Sequence, residues 1–323
     1  MLALLFPGQG SQYIGMCRQL ADEDPQAAAV FAEAGEALGL DLLKLIDSGP
    51  FERLSSSAYA QPAVVAAGYA LAGAYERLAG APPDCAAGHS LGEITALAAA
   101  GAITLADAVR YASRRGELMH RAVLENRGRA GIVVDMDQAV LVQAAAQVRE
   151  QEYVAVSGYN SPRQFIVAGT AAGMKLLEDP VDAAGGELIP FRMIPMKADA
   201  PYHSMLMAFV QEELDSLVAE IPLRRPRFPV WSTVTGGLLE SEDRIRKALS
   251  GQLVRPVLWN QALAALKDRG VRLWVDAGPG RTVRNLVMEN PALGRAYAFD
   301  EPEERRELIA RFAADPDPAN VRI

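Results

Sequence analysis

The segment around Ser90 constrains the fold more than any other part of the sequence. A short apolar run, Asp84–Gly88, leads directly into the turn Gly88-His89-Ser90-Leu91-Gly92 and then into an Ala- and Leu-rich stretch, Leu91–Ala100. This order predicts a buried strand, a sharp turn and a helix, since a short apolar run bounded by glycine is typical of a buried strand. Strand and helix alternating in this way indicate a parallel sheet.

The chain as a whole separates into two patterns. The alternation opens the sequence, where Leu2–Phe6 predicts a strand and Tyr13–Leu20 a helix, and it resumes after residue 196. Between residues 127 and 196 the predicted order is strand-helix-strand-strand-helix-strand, that of a ferredoxin-like unit. We therefore expect an α/β-hydrolase-like large domain with a parallel sheet (1–126 and 197–300), an inserted ferredoxin-like subdomain (127–196), and a C-terminal helix and tail (301–323).

Composition excludes several classes of function. The 323 residues are 50% hydrophobic and 22% charged, as in globular rather than disordered chains. With 32 basic and 40 acidic side chains the net charge is −8, so we expect no nucleic-acid partner. The apolar start, Met1–Phe6, is too short for a signal peptide or membrane span. Cys17 and Cys85 form neither a disulfide framework nor a zinc site. We expect a cytoplasmic protein with no membrane partner, metal or bound cofactor.

Ser90 is the strongest candidate for a reactive side chain. The pattern G-x-S-x-G indicates a reactive serine when it lies between a strand and a helix, because a side chain at either glycine would collide with these elements. At the N-terminus of the helix, free N–H groups favour negative charge that develops near the hydroxyl. The alternative is a glycine-rich turn with only a structural role.

A serine hydroxyl needs a base within hydrogen-bond reach, and the sequence offers three histidines. His89 adjoins Ser90 and would point elsewhere, and His120 lies on an Arg-rich helix where a solvated role is expected. His203 follows the serine in the chain, as the base does in α/β-hydrolases, and a buried structural histidine is the alternative. No acid is placed to orient His203, so a dyad held by a backbone carbonyl and a triad both remain open.

A set of motifs spanning about residues 4–290 resembles the malonyl-CoA:acyl carrier protein transacylase family in order and spacing. The motifs are Phe6-Pro7-Gly8-Gln9-Gly10-Ser11-Gln12, Gly88-His89-Ser90-Leu91-Gly92-Glu93, Arg115-Gly116, Asn160-Ser161-Pro162, His203-Ser204, Pro256-Val257-Leu258-Trp259 and Gly278-Pro279-Gly280.

The resemblance implies a two-step acyl transfer. Ser90 would take a malonyl group from coenzyme A and pass it to the phosphopantetheine thiol of an acyl carrier protein, with His203 as general base and acid. Backbone N–H groups of Gln9 and Leu91 would form the oxyanion hole. A backbone carbonyl in the segment Pro256–Trp259 would orient the histidine, which would explain the missing acid.

The resemblance also implies the substrate-binding residues Arg115, Asn160, Tyr202 and Leu258. Arg115 matches the arginine that grips the free carboxylate in malonyl-using relatives, a task that suits a planar guanidinium. Opposite a neutral acyl group a buried arginine would be left unpaired at a considerable cost, so Arg115 favours malonyl. Without the resemblance, Arg115 beside Arg114 would be interpreted as a surface charge.

Other features leave the substrate and pathway open. Relatives carry different short sequences in place of Ala200-Pro201-Tyr202, and these correlate with acyl specificity. Methionines near this segment indicate core packing or an adaptable acyl channel; they are Met193, Met196, Met205 and Met207. Cations near the motifs could attract anionic partners; they are Arg163, Arg192, Lys197, Arg281 and Arg284.

Three functions are compatible with the sequence. The first is a malonyl transferase of fatty acid or polyketide synthesis. The second is an acyl hydrolase of the same fold that clears stalled acyl groups from carrier proteins, against which Arg115 counts. The third is a catalytically silent module that only binds a carrier protein, against which an intact Ser90 and His203 count.

Overall fold

The structure is a computed structural model that describes residues 1–194 and 199–314. The strands are β1 (Leu2–Phe6), β2 (Cys85–Gly88), β3 (Arg129–Val134), β4 (Val154–Tyr159), β5 (Gln164–Gly169), β6 (Glu187–Pro190), β7 (Val230–Trp231), β8 (Leu273–Asp276) and β9 (Ala296–Ala298). The helices are α1 (Arg18–Glu23), α2 (Pro25–Leu38), α3 (Leu42–Ser48), α4 (Phe51–Ser55), α5 (Ser57–Ala79), α6 (Gly92–Ala99), α7 (Leu105–Leu124), α8 (Gln138–Arg149), α9 (Ala171–Ala183), α10 (Gln211–Glu220), α11 (Glu242–Gly251), α12 (Trp259–Asp268), α13 (Thr282–Met288) and α14 (Pro302–Ala314).

The larger sheet is parallel, with the strand order β7-β2-β1-β8-β9. Strand β1 lies at its centre and is buried on both faces. Leu4 faces a core that includes residues of α5 and α7, whereas Leu5 faces a second core with Trp259 and Val283. A strand covered by helices on both sides must be apolar throughout, which explains the continuous run at the start of the sequence.

The smaller sheet is antiparallel, with the order β4-β5-β3-β6. Helices α8 and α9 pack against one face through an apolar core of their own. The order is that of a ferredoxin-like unit, so the predicted combination of a parallel-sheet α/β fold with an inserted unit of this kind is confirmed. A parallel bridge joins the two parts, since Tyr159 N–H donates to Val257 O at 2.9 Å and Val257 N–H donates to Ser157 O at 3.0 Å.

Several predicted elements differ from the structure. The helix expected over Tyr13–Leu20 begins only at Arg18, because Gly15 and Cys17 take left-handed backbone angles (φ 81° and 57°) that interrupt a helix. The amphipathic spacing of Ser204–Ile221 also predicts a helix, but this segment starts as a 3₁₀ turn, Met205–Val210, and becomes α-helical at Gln211.

Short helices were the elements that periodicity missed. Helices α3 and α11 are capped by Asp41 and Ser241, whose side chains accept hydrogen bonds from the first turn, yet each is only two or three turns long. The apolar run Phe228–Val234 predicts a strand, of which the structure contains only Val230–Trp231, at the edge of the sheet.

The domain limits stay a prediction. Their second boundary, at residues 196 and 197, and the tail from 315 to 323 lie outside the described residues. In the part of the chain that is described, no helix is long and apolar enough to cross a membrane.

Candidate active site

The turn around Ser90 is fixed by the two glycines of its motif. A Cβ added to Gly88 would collide with the backbone of Gly92 and Glu93, and one added to Gly92 would collide with the carbonyl of Phe6. Between them Ser90 has a left-handed backbone (φ 51°), a strained state for a residue with a side chain. The close packing at the two glycines enforces this backbone, which places Ser90 between the end of β2 and the start of α6.

His203 reaches Ser90 from a distant part of the chain. Its Nε2 lies 2.8 Å from Ser90 Oγ, although the two residues are 113 positions apart. Burial, the positive charge of Arg115 and the neighbouring His89 together lower the pKa of His203 to about 3. The imidazole is therefore neutral at physiological pH and able to accept the serine proton.

The backbone carbonyls of Gln252 and Arg255 lie next to the His203 ring and partly offset the lowering of its pKa. The predicted source, a carbonyl of the segment Pro256–Trp259, is not among them, and two carbonyls of that segment accept other hydrogen bonds. Val257 O accepts from Tyr159 N, and Leu258 O accepts from Ala262 N at 2.9 Å. Nδ1 of His203 makes no well-aligned hydrogen bond within the described residues, and no carboxylate is among the groups that shift the pKa of this ring.

Gln252 also contacts the nucleophile, which sequence reasoning missed. The side-chain amide of Gln252 donates to the backbone carbonyl of Ser90 at 3.2 Å, while the backbone carbonyl of Gln252 lies against His203. One buried residue thus ties the nucleophile to the base. It follows α11, a helix that periodicity did not reveal, so no local signal marked it.

Arg115 is buried rather than on the surface, with 1% of its area exposed. It lies on α7, which packs tightly on α5 because the neighbouring Gly116 has no side chain to strike the Ser57 carbonyl. Its Nη2 donates to Ser90 Oγ at 3.1 Å and its Nη1 donates to Gln61 Oε1 at 2.8 Å. Burial lowers the pKa of Arg115 to about 10, so the guanidinium stays charged at neutral pH.

The backbone N–H groups of Gln9 and Leu91 are the two that the sequence predicts for an oxyanion hole. Among the described residues, neither Gln9 N–H nor Leu91 N–H has a backbone partner. The loop that carries Gln9 is held by Ser11, whose hydroxyl donates to Gly8 O at 3.0 Å, and by Gln12, which accepts from Gly10 N–H at 2.8 Å. Free amides on a fixed loop suit charge stabilisation.

A single cavity of about 340 Å³ lies at the Ser90 turn. One wall, from the large domain, carries Ser90, Arg115, His203 and the Gln9 loop. The opposite wall comes mainly from the small sheet and the segment after it, and its apolar side chains are Ala130, Ile132, Ile166, Phe191 and Ile194.

Of the two residues Tyr202 and Leu258, only Tyr202 is among those that line the cavity. Tyr202 lines the cavity with 6% of its area exposed, and its hydroxyl has no well-aligned partner in the described part of the chain, although the Ser57 hydroxyl is near enough to affect its pKa. Leu258 is not among the residues that line the cavity: its N–H donates to Thr233 O, it lies just before α12, and Val257 lines the cavity instead.

Asn160 links the two walls. Its Oδ1 lies 2.8 Å from His89 Nε2, and its amide donates to Gln164 Oε1 at 3.0 Å. The His89 ring also packs edge-on against Trp259, with 5.5 Å between ring centroids. His89 therefore points away from Ser90, as expected, and burial lowers its pKa.

The cations expected near the motifs are mostly neutralised. Arg281 pairs with Glu301 at 3.2 Å and Arg284 with Glu304 at 3.0 Å, both acids lying on or beside α14. Arg163 lies 3.8 Å from the carboxylate of Asp135. Arg192 is exposed, and Lys197 lies outside the described residues.

The methionines do not form one channel. Met207 is fully buried in the core, whereas Met193 and Met205 are 73% and 58% exposed, and Met196 lies outside the described residues. Within residues 1–194 and 199–314, no group of three or more His, Cys, Asp or Glu side chains is placed to hold a metal ion.

Comparison with known proteins accounts for this arrangement. The sequence matches the acyl transferase domain family over residues 3–290. The chain belongs to the acyl transferase family.

Characterised relatives of this acyl transferase are similar over nearly its full length. It is 35% identical to the malonyl CoA-acyl carrier protein transacylase of Escherichia coli K12, over 93% of this chain and 96% of that protein. It is 34% identical to the Bacillus subtilis 168 protein of the same name, over 98% and 99% of the two chains.

Solved structures agree with the sequence relatives. The FabD crystal structure from Acinetobacter baumannii superposes with a TM-score of 0.90 at 31% identity, covering 97% of this acyl transferase and 98% of that chain. A malonyl-transacylase in complex with its type II PKS acyl-carrier protein gives a TM-score of 0.88 at 33% identity, covering 94% and 97% of the two chains.

Proposed function

We propose that this acyl transferase moves a malonyl group from coenzyme A to the phosphopantetheine thiol of an acyl carrier protein through an acyl-serine intermediate. One observation carries the proposal: Ser90, His203 and the guanidinium of Arg115 meet in a single cavity. Among the described residues, this buried guanidinium has no carboxylate partner. The names of the relatives supply the acyl donor and the acceptor.

The first half-reaction loads the serine. His203 Nε2 takes the proton of Ser90 as Oγ attacks the thioester carbonyl, and the N–H groups of Gln9 and Leu91 stabilise the oxyanion that forms. When the tetrahedral intermediate collapses, the C–S bond breaks and the coenzyme A thiolate takes the proton from His203. The malonyl group is then an ester of Ser90.

The second half-reaction reverses these steps with a new thiol. The carrier thiol gives its proton to His203 Nε2, its sulfur attacks the ester carbonyl, and the same two amides receive the oxyanion. The C–O bond breaks and Ser90 recovers its proton from His203. Bonds and protons balance without a cofactor, so coenzyme A takes part only as a co-substrate.

Arg115 supplies the preference for a dicarboxylic acyl group. It lies beside Ser90 Oγ and is buried with amide, thioether and hydroxyl partners. A free carboxylate on the acyl group would pair with this charge, whereas a neutral acyl group would leave it unpaired at a cost of about 3–5 kcal/mol. Malonyl is the smallest common acyl group with such a carboxylate.

The hydrolase alternative gains no support from the relatives reported above, which are named transacylases. The choice between fatty acid and polyketide synthesis stays open, because one structural relative is paired with a type II PKS carrier. A cytoplasmic location stays a prediction from the sequence.

The test is a transfer assay with intact-mass detection. We expect malonyl-CoA to add one malonyl group to the protein, and the adduct to disappear when a phosphopantetheinylated acyl carrier protein is added. Ser90→Ala should form no adduct, because it removes the attacking oxygen. Free malonate released without a carrier would indicate a hydrolase, and an unmodified wild-type protein would contradict acyl transfer altogether.

A further inference from the structure

Gln61 is a fully buried amide in contact with the guanidinium of Arg115. It lies on α5, and its Oε1 accepts from Arg115 Nη1 at 2.8 Å. Its Nε2 donates to Gln9 Oε1 at 3.1 Å and approaches Met119 Sδ at 3.0 Å. The two ends of one amide therefore face the guanidinium and the loop of the expected oxyanion hole.

The Gln61 side chain is neutral, so it contacts Arg115 without compensating the charge of the guanidinium. No ion pair joins Arg115 to a carboxylate in residues 1–194 or 199–314, and its buried Nε has no hydrogen-bond partner there. Buried arginines are normally paired with a carboxylate, since an uncompensated buried charge is costly. A glutamate would occupy nearly the same volume at position 61 and would neutralise the cation.

Glu93 does not perform that task. It is the buried carboxyl whose charge raises the pKa of Arg115, yet its Oε2 accepts from Thr233 N–H at 2.8 Å and not from the guanidinium. Burial raises the pKa of Glu93 to about 7, so its negative charge is partial at neutral pH. The protein thus keeps the cation beside the nucleophile without a full counter-ion.

We propose that Gln61 is a positioning residue that determines acyl specificity: its neutral amide orients Arg115 without neutralising it, so that the carboxylate of the substrate becomes the counter-ion. This role rests on the proposed function. Because Oε1 is engaged by Arg115, the amide has one orientation, and its Nε2 is left to hold Gln9. Gln9 in turn donates to Ser57 Oγ at 2.9 Å, which anchors the loop to α5.

The test compares Gln61→Glu with Gln61→Met, which removes the amide without adding charge. The measured quantity is kcat/KM for transfer from malonyl-CoA and from acetyl-CoA. In Gln61→Glu the internal carboxylate takes the place of the substrate carboxylate, so the ratio of malonyl to acetyl transfer should fall on the order of 100-fold. In Gln61→Met both activities should fall while the ratio changes less than about tenfold.

The outcomes separate this role from a structural one. Equal losses of malonyl and acetyl transfer in Gln61→Glu would overturn it. If Gln61→Glu does not fold, Gln61→Met decides: a fall in both malonyl and acetyl transfer supports the role, and unchanged transfer of both acyl groups overturns it. A wild-type protein that accepts no malonyl group would instead overturn the proposed function itself.

Discussion

The two walls of the cavity have opposite characters. The wall built on the parallel sheet carries the nucleophile, the base, the guanidinium and the Gln9 loop, whereas the wall from the small antiparallel sheet contributes apolar and neutral polar side chains and, among the residues that the structure describes, no ionisable group. The large-domain groups are fixed by buried strands and by glycines that admit no side chain. The small sheet instead shapes the space above them and reaches the nucleophile turn through Asn160 and His89.

The difference indicates that the wall on the parallel sheet performs the chemistry, whereas the wall from the small sheet selects the substrate by shape. Charge and proton transfer need groups held to within tenths of an ångström, and a fully buried parallel sheet provides that rigidity. The small sheet is bridged to the large domain at Val257 and need only position an apolar surface. Substitutions on the first wall should therefore have far larger effects than those on the second.

The largest effect tests the guanidinium. Arg115→Ala should lower kcat/KM for malonyl-CoA on the order of 1,000-fold and that for acetyl-CoA less than tenfold, because only malonyl carries a carboxylate to pair with it. Arg114→Ala is the matched control: this neighbour is exposed and pairs with Glu117. Equal losses for both substrates in Arg115→Ala would show that the arginine has only a structural role.

The next effect tests the base on the same wall. An ordinary histidine, with a pKa near 6.5, would be only about 3% neutral at pH 5, so acylation would slow about 30-fold from its plateau. Because burial lowers the pKa of His203 to about 3, the imidazole stays neutral at pH 5, and the rate should fall only as the pH approaches that value. Single-turnover adduct formation between pH 4.5 and 8 measures this.

The pH profile needs one control. Burial raises the pKa of Glu93 to about 7, so this carboxyl also titrates near neutrality. Glu93→Gln removes its titration without changing its shape. A 30-fold loss between pH 7.5 and 5 that persists in Glu93→Gln would contradict a neutral, buried His203.

A smaller effect tests the link between the walls. Asn160→Ala removes the hydrogen bond to His89 and should lower kcat/KM for malonyl-CoA about tenfold, the effect of losing one buried hydrogen bond. Gln164→Ala, one step further along the same chain of amides, should lower it less. A loss on the scale of Arg115→Ala would place Asn160 in the chemistry and erase the contrast between the walls.

The smallest effect lies outside the cavity. Arg281→Ala should change KM for malonyl-CoA less than twofold, because its charge is already paired with Glu301 near the surface. Steady-state kinetics at low ionic strength measure this most sensitively. A rise in KM of tenfold or more would show that Arg281 attracts the anionic substrate despite its ion pair.

Local sequence was sufficient for the nucleophile side of the site. The glycines around Ser90 and the apolar strands before them are short-range signals, because they reflect collisions and burial within one strand-turn-helix unit. The order of strands and helices likewise predicted the ferredoxin-like unit. The same signals failed over Tyr13–Leu20, where two left-handed residues break the helix without altering its hydrophobic spacing.

Long-range packing determined the rest of the site. Arg115 has the sequence surroundings of a surface residue, and only the contact of α7 with α5 buries it. Gln61 and Gln252 are ordinary glutamines until the fold sets them against Arg115 and Ser90. A local pattern therefore cannot reveal them, because their function depends on partners more than 50 residues away in the chain.

The central claim is that Ser90, Arg115 and the Gln9 loop act on one acyl group. The most direct measurement is a crystal structure of the wild-type protein after reaction with malonyl-CoA in the absence of a carrier. We expect a malonyl ester on Ser90 Oγ. Its carboxylate should accept hydrogen bonds from both terminal nitrogens of Arg115, and its carbonyl oxygen should face the N–H groups of Gln9 and Leu91. A carboxylate directed towards Ile132 and Ile166, or an adduct on another residue, would contradict the account.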